Sequence, residues 1–116
     1  MALIDAIRVS HTPVHTICFG SGMSMGLMVF LVGHRRFAGK HCTFMYHELS
    51  DIYSDKLEGI KKNVAEYERL QSLIDSIITS KTKILQEQLN KYRETKSEWY
   101  IPADEALKLS IAHELM

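Results

Sequence analysis

Apolar and polar positions follow two different patterns along this chain. In the first half, short apolar runs are separated by glycine, proline and polar residues, whereas in the second half apolar residues recur every three to four positions among many charges. Short runs of β-branched and aromatic residues predict strands, and the longer spacing predicts amphipathic helices. The chain is therefore expected to form an α/β domain with a long helical segment in its second half.

The first half predicts a helix that ends before Pro13, because the residue before a proline is pushed out of the helical region. A strand, an entirely apolar helix and a second strand are expected after it. A strand, a helix of about ten residues and a strand form a βαβ unit, whose strands are parallel and whose crossover is right-handed. These four elements are predicted over residues 2–10, 14–19, 23–32 and 41–46, and residues 33–36 are read as the glycine and basic residues that close the second helix.

The second half predicts one long amphipathic helix over residues 54–92, interrupted by the polar interval Thr79–Lys83. Trp99–Ile101 is then expected to form a short strand. Pro102 suits the first turn of a last helix that continues through Leu109. No internal repeat and no low-complexity segment divides the sequence, so residues 1–116 are expected to form a single domain.

A serine flanked by glycines lies between the first predicted strand and the apolar helix, in the run Gly22-Met23-Ser24-Met25-Gly26. In the βαβ interpretation Ser24 lies just past the first strand and His47 lies at the end of the second. Because sites form outside the carboxyl ends of parallel strands, the two side chains are expected to meet. A nearby imidazole can accept the proton of a serine hydroxyl during nucleophilic attack, and an acidic group would orient that imidazole.

Other interpretations of these residues stay open at this point. The run matches the G-x-S-x-G elbow of α/β hydrolases, which would call on Asp104 and His113, although 116 residues are too few for the sheet of that fold. Ser24 could instead be a helix N-cap, and His47 a strand-end histidine bonded to backbone. The remaining histidines lack ligand-like spacing and are expected at the surface or at its boundary with the core: His11, His15, His34, His41 and His113.

Composition excludes several classes of protein. Fourteen Lys and Arg balance fourteen Asp and Glu, so the chain lacks the basic footprint of a nucleic-acid binder. Its most apolar stretch, residues 23–32, is half of the roughly 20 residues that span a bilayer, and its N-terminus does not resemble a signal peptide. Cys18 and Cys42 lack metal-site spacing and favour a reducing cytoplasm. Neither a cofactor nor a metal is expected.

Four segments carry a family resemblance, and the first two are the specific ones. The sequence ICFGSGMSMGLMVFL, residues 17–31, resembles the active-site segment of the Clp protease proteolytic subunit family, in which the serine of a Ser-Met-Gly triplet is the nucleophile. FMYHE, residues 44–48, resembles the strand that ends in the catalytic histidine of that family. Residues 54–80 are similar to its helical handle in pattern, and residues 103–115 to its Glu-Ala helix and following strand. The likeness covers essentially the whole chain.

Carried over to this sequence, the resemblance implies Ser24 as nucleophile, His47 as general base and the backbone N–H of Met25 as one oxyanion donor. Counting back from the Glu-Ala pair places Glu98 where the family has an aspartate. Glu94 and Asp104 are weaker candidates for the acid.

The resemblance also implies an architecture and partners. The expected fold is a Clp protease and crotonase-like spiral of ββα units, truncated at the N-terminus, with a handle over about residues 52–93. Family members carry an earlier portion whose glycine-rich loop supplies the second oxyanion donor, so the chain is expected to be a fragment or a shortened form. The implied protein is a cytoplasmic serine endopeptidase that assembles into homo-oligomeric rings and receives polypeptide substrates from an AAA+ ATP-driven unfoldase.

Two rival functions belong to other classes. A degenerate subunit would keep the assembly surfaces without peptidase activity, as the glutamate at position 98 and the expected absence of the earlier portion suggest. A crotonase-like enzyme acting on acyl thioesters would share the spiral architecture without needing Ser24 or His47.

Overall fold

The computed structural model describes residues 1–49 and 57–116, and for residues 57–63 it describes the backbone. Over this part of the chain the protein is a mixed α/β structure. The predicted start of the long helix at Ser54, and the first residues of the predicted handle, lie outside the described residues. The elements are α1 (Ala2–Val9), β1 (His15–Cys18), β2 (Ser21–Met23), α2 (Met25–Leu31), β3 (Arg35–Ala38), β4 (Thr43–Tyr46), α3 (Leu57–Lys81), α4 (Gln86–Glu94), β5 (Trp99–Pro102), α5 (Ala103–Lys108) and β6 (Glu114–Leu115).

The strands form two three-stranded sheets in the orders β1-β3-β6 and β2-β4-β5. The first half of the chain thus contains two successive strand–strand–helix units, β1-β2-α2 and β3-β4-α3. Corresponding strands of the two units pair in parallel, β1 with β3 and β2 with β4. The β5 strand then joins the second sheet antiparallel to β4, and β6 joins the first sheet parallel to β3.

The sequence-based prediction of one βαβ unit is wrong in two places. Residues 21–23 form the separate strand β2 instead of a turn, and residues 35–38 form β3 instead of a helix end. Neither segment carries the apolar alternation that marks a strand, because β2 contains Gly22 and β3 contains two arginines. The helix between them is accordingly shorter than predicted, at Met25–Leu31.

A single apolar core lies between the helices and the two sheets. Ile4 and Ile7 bring α1 onto it, and the rings of Phe30 and Phe44 pack at 4.8 Å between α2 and β4. The C-terminal half of α3 contributes a stripe of isoleucines at helical spacing, as its sequence pattern predicts. The stripe is Ile74, Ile77 and Ile78.

A buried arginine joins the elements around this core. Arg36 on β3 is 4 % exposed, and its guanidinium donates hydrogen bonds of 2.7–3.2 Å to four backbone carbonyls. These carbonyls belong to residues near the ends of α2, α3 and α5, which leave carbonyls without helical partners. One side chain therefore satisfies acceptors in the last residues of two helices and in the segment after a third: Leu31, Lys81, Ser110 and Ile111.

Candidate active site

Ser24 occupies the sharp turn between β2 and α2. Its backbone has φ 54° and ψ −117°, a region that non-glycine residues rarely adopt and that costs on the order of 1–3 kcal/mol. The Ser24 N–H donates to the Met45 carbonyl at 3.0 Å, and the Ser24 carbonyl accepts from Leu27 N–H at 3.1 Å. Bonds to β4 on one side and α2 on the other thus hold the strained turn.

The interpretation of Ser24 as a helix cap is wrong for its side chain. Ser24 stands at the N-cap position of α2, but its hydroxyl makes no capping hydrogen bond. Within residues 1–49 and 57–116, no protein group is hydrogen-bonded to Ser24 Oγ. A half-buried hydroxyl on a strained strand-to-helix turn is the arrangement of a nucleophile elbow.

His47 directly follows β4 and is half-buried. Its Nδ1 atom lies in a short contact with the carbonyl oxygen of Glu48. A carbonyl can only accept, so this contact assigns the proton of a neutral imidazole to Nδ1 and leaves the Nε2 lone pair as the base. His47 is thus bonded to the backbone through Nδ1, as the alternative interpretation predicts. Its Nε2 is left suited to accept a proton.

The two residues come together because their strands are neighbours. Met23 pairs with Met45 in the parallel register of β2 and β4, so Ser24 and His47 both follow the carboxyl ends of adjacent strands. The strand that carries Ser24 is β2, whereas the sequence pointed to the preceding strand. Both side chains border one small cleft, which is lined by Ser24, Met25, Leu27, Met28, Tyr46, His47, Leu49 and Ile74.

Glu98 lies one residue before β5, the other neighbour of β4. Tyr46 and Trp99 form the last pair of this antiparallel ladder, so His47 and Glu98 each lie one residue beyond it. The Glu98 side chain is exposed, and its carboxylate accepts a 2.7 Å hydrogen bond from the Tyr100 hydroxyl. This bond raises the pKa of Tyr100. The Glu98 carboxylate is thus bonded to Tyr100 in this structure.

The remaining candidates for acid and base lie apart from this cleft. Glu94 is exposed at the end of α4, and Asp104 is exposed in the first turn of α5. His113 accepts a hydrogen bond from the Arg36 N–H at Nδ1, at 3.0 Å, and neither His113 nor Asp104 lines the cleft at Ser24. The five histidines expected at the surface are all exposed.

Met25 begins α2, and the first N–H groups of a helix have no carbonyl partner within it. Its backbone therefore offers a donor beside the Ser24 hydroxyl. The Met25 side chain is 37 % exposed, and that of Met23 is 41 % exposed. The two residues next to Ser24 therefore expose apolar surface to solvent.

A second groove of about 290 Å³ runs along β1, β2 and α2. It is lined in part by Ile17 and Phe19, which are 55 % and 68 % exposed. Cys18 also borders it, and its Sγ lies 2.9 Å from that of Cys42. Burial is the main cause that raises the pKa of Cys42 to about 12, so this thiol stays protonated at neutral pH.

Neither a metal-binding cluster nor a membrane-spanning helix is found in the part of the chain that the structure describes. No cluster of three or more His, Cys, Asp or Glu side chains could hold a metal ion there. No helix of the described ranges is both long and apolar enough to cross a membrane.

Comparison with known proteins identifies the family. Residues 1–116 match the Clp protease family. The chain is similar to the ATP-dependent Clp protease proteolytic subunit of Deinococcus radiodurans, with 26 % identity over 118 aligned residues, which cover 100 % of this chain and 57 % of the relative. It is also similar to the ATP-dependent Clp protease proteolytic subunit 2 of Treponema pallidum, with 25 % identity over 99 % of this chain and 58 % of the relative. The chain thus spans somewhat more than half the length of these relatives, and its mixed α/β fold agrees with theirs in class. The chain belongs to the Clp protease family.

Proposed function

We propose that this protein is a serine endopeptidase subunit of a Clp-type proteolytic complex. The observation that carries the proposal is the strained turn at Ser24 beside His47, at the carboxyl ends of two adjacent parallel strands. Family membership over residues 1–116 supports the same reaction class. The substrates are polypeptides, and cleavage proceeds through an acyl-enzyme.

In the proposed reaction, Ser24 Oγ attacks the carbonyl carbon of the scissile peptide bond while its proton passes to His47 Nε2. The backbone N–H of Met25 donates to the oxyanion that forms. His47 then gives the proton to the leaving amine, which departs and leaves an acyl group on Ser24. Water, activated by the same imidazole, hydrolyses this ester and regenerates the serine.

The acid of the proposed triad is Glu98, which would stabilise the imidazolium that forms during attack. For that role the Glu98 carboxylate must turn from the Tyr100 hydroxyl towards Nδ1 of His47. The extra methylene of glutamate relative to aspartate gives its carboxylate a longer reach. In the resting arrangement the Glu48 carbonyl already fixes the tautomer of the imidazole.

The assembly is proposed from the names of the relatives. Both are proteolytic subunits of ATP-dependent Clp proteases, so we propose that this protein works in the cytoplasm in homo-oligomeric rings supplied by an AAA+ unfoldase. The helices α3 and α4 would form the handle that joins two rings. Consistent with this role, α3 is 25 residues long, and Val64 and Leu73 on it are each 42 % exposed.

The proposal is tested with a serine-reactive fluorophosphonate on protein expressed from its complete reading frame. Ser24→Ala should abolish labelling and lower the kcat of casein hydrolysis at least about a thousandfold, because the nucleophile is lost. Ser21→Ala is the matched control, since Ser21 is an exposed serine three positions away on β2. It should retain both labelling and hydrolysis.

A second candidate, the degenerate subunit, is favoured by the hydrogen bond that holds Glu98 to Tyr100. The same experiment separates the two candidates. Assembled protein that neither reacts with the fluorophosphonate nor cleaves casein would be the degenerate form. Labelling at Ser24 together with cleavage would exclude that form.

A further inference from the structure

A buried hydrogen-bond network links the residues on either side of His47 to the helices α3 and α4. Its central members are Gln71 and Asp75, which are one turn apart on α3 and are 4 % and 2 % exposed. Polar side chains this deeply buried are costly unless each is hydrogen-bonded. Their partners therefore show what these two residues hold in place.

Gln71 bonds to the chain on both sides of His47. Its Oε1 accepts from the backbone N–H of Leu49 at 2.7 Å, two residues after the histidine. Its Nε2 donates to the hydroxyl of Tyr46, the residue before the histidine, at 3.3 Å, and to Asp75 Oδ1 at 2.9 Å. A single amide side chain thus ties both flanks of His47 to α3.

Asp75 fixes the other end of the same network. Its Oδ1 also accepts from the Tyr46 hydroxyl at 3.1 Å, and its Oδ2 accepts from Gln86 at 2.9 Å and from Arg93 of α4. The pairing with Arg93 compensates for the burial of the charge. Burial and the nearby Asp75 charge raise the pKa of Tyr46 to about 12, so its hydroxyl remains a donor at neutral pH.

We propose that Gln71 and Asp75 are positioning residues that hold the imidazole of His47 in its working place by fixing Tyr46 and Leu49. This role rests on the proposed function of His47 as general base. A displacement of about 1 Å in a reacting group costs roughly a hundredfold in rate. Bonds on both sides of the histidine, from a side chain outside the cleft, are suited to prevent such a displacement.

The test compares Gln71→Met, which keeps the length of the side chain without its amide, with Thr82→Val as a matched control. Thr82 near the end of α3 makes 2.7 and 3.1 Å hydrogen bonds with Ile78 and Ile84, neither of which lines the cleft. Casein hydrolysis by Gln71→Met should show kcat lowered roughly tenfold to a hundredfold, with KM unchanged. The control should lose thermal stability while keeping its kcat.

A second readout follows the histidine segment directly. Hydrogen exchange at the Leu49 amide should become faster in Gln71→Met and stay unchanged in Thr82→Val, because only the first loses the acceptor of that amide. If Gln71→Met fails to fold, Tyr46→Phe removes the hydroxyl alone and should still lower kcat with KM unchanged.

Folded Gln71→Met or Tyr46→Phe with the kcat of the parent protein would overturn the positioning role. An unchanged exchange rate at Leu49 in folded Gln71→Met would do the same. Failure of the proposed function looks different, since it appears in the parent protein as hydrolysis that survives Ser24→Ala. In that case the exchange rate at Leu49 still decides whether Gln71 holds this segment.

Discussion

Two polar centres of this molecule, Arg36 and Ser24, are built in opposite ways. The Arg36 guanidinium is buried and donates to four carbonyls, whereas the Ser24 hydroxyl is half-buried and has no hydrogen-bond partner within the described ranges. Arg36 adopts no unusual backbone angle, while Ser24 has a positive φ. A group that stabilises a fold is saturated with partners, and a group that reacts must keep its bonding capacity for the substrate. Under the proposed function, Arg36 acts on the stability of the fold and Ser24 acts on the chemistry.

The largest change in stability is expected on substitution of Arg36. Arg36→Met leaves four carbonyls without their donor, two of them fully buried and two partly buried, so the free energy of unfolding should fall by about 3–5 kcal/mol. Arg35→Met is the matched neighbour, because its salt bridge with Glu114 joins side chains that are 49 % and 58 % exposed, and the change should stay within about 1 kcal/mol. Urea denaturation measures both. Equal losses in the two variants would contradict the distinction.

Glu98 tests the reactive centre without disturbing the fold. Glu98→Gln keeps an acceptor for Tyr100 but removes the charge that would stabilise the imidazolium, so kcat should fall at least about tenfold with stability unchanged. Glu94→Gln, an exposed change at the end of α4, should leave kcat unaffected. If Glu98→Gln retains full kcat, the Glu48 carbonyl alone orients His47 and the site works without a carboxylate.

The backbone strain at Ser24 gives a smaller effect. Glycine adopts a positive φ without steric cost, so Ser24→Gly should unfold with a free energy about 1 kcal/mol higher than that of Ser24→Ala. Both variants lack the proposed nucleophile, and the difference between their free energies of unfolding isolates the conformational cost. The same urea midpoint for the two variants would show that no such cost is stored at this turn.

The smallest effect is expected in the pH dependence of stability, through His113 beside Arg36. Partial desolvation of the ring where it contacts Arg36, followed by the positive charges of Arg36 and Arg35, lowers the pKa of His113 below 6.5. The folded state therefore favours the neutral ring, whose Nδ1 accepts from the Arg36 N–H. This stabilisation is present above about pH 6.5 and is lost as the pH falls through the lower folded-state pKa.

The variant His113→Asn keeps an acceptor at the same place without a titrating group. Its unfolding free energy should lose less than that of the parent protein between pH 7 and pH 5. His11→Asn, a change at an exposed histidine, should follow the parent profile. Parallel profiles for all three proteins would contradict the assignment to His113.

The sequence predicted the elements that carry a clear periodicity. The helices at residues 2–9 and 57–81, the break before α4 and the strand at Trp99 were found from apolar spacing, and the family was found from the segments around Ser24 and His47. The strands β2 and β3 were missed because their residues do not alternate between apolar and polar. They are strands because they pair with segments that are distant in sequence, and no local pattern records such pairing.

The buried polar groups were missed for a related reason. Arg36 was read as the end of a helix, yet its acceptors include Ile111, 75 positions away. Asp75 lies on a helix predicted to be amphipathic, where charged side chains are usually solvated. It is instead buried, and its partner Arg93 lies on another helix. Gln71 occupies a position of α3 where the helical spacing predicts an apolar residue. A polar residue at that position is the local sign of the network in the sequence.

The two glycines around Ser24 differ in what the folded chain requires of them. A Cβ at Gly22 would come within 2.9 Å of the Phe44 ring, whereas a Cβ at Gly26 would meet nothing within 4 Å. Packing therefore dictates the first glycine, and packing within the described chain does not dictate the second. A search with the pattern G-x-S-x-G gives the two glycines equal weight. Packing in this fold explains only the first of them. In a set of related sequences, substitution at position 22 should covary with the residue at position 44, while position 26 should vary independently of its neighbours in this fold.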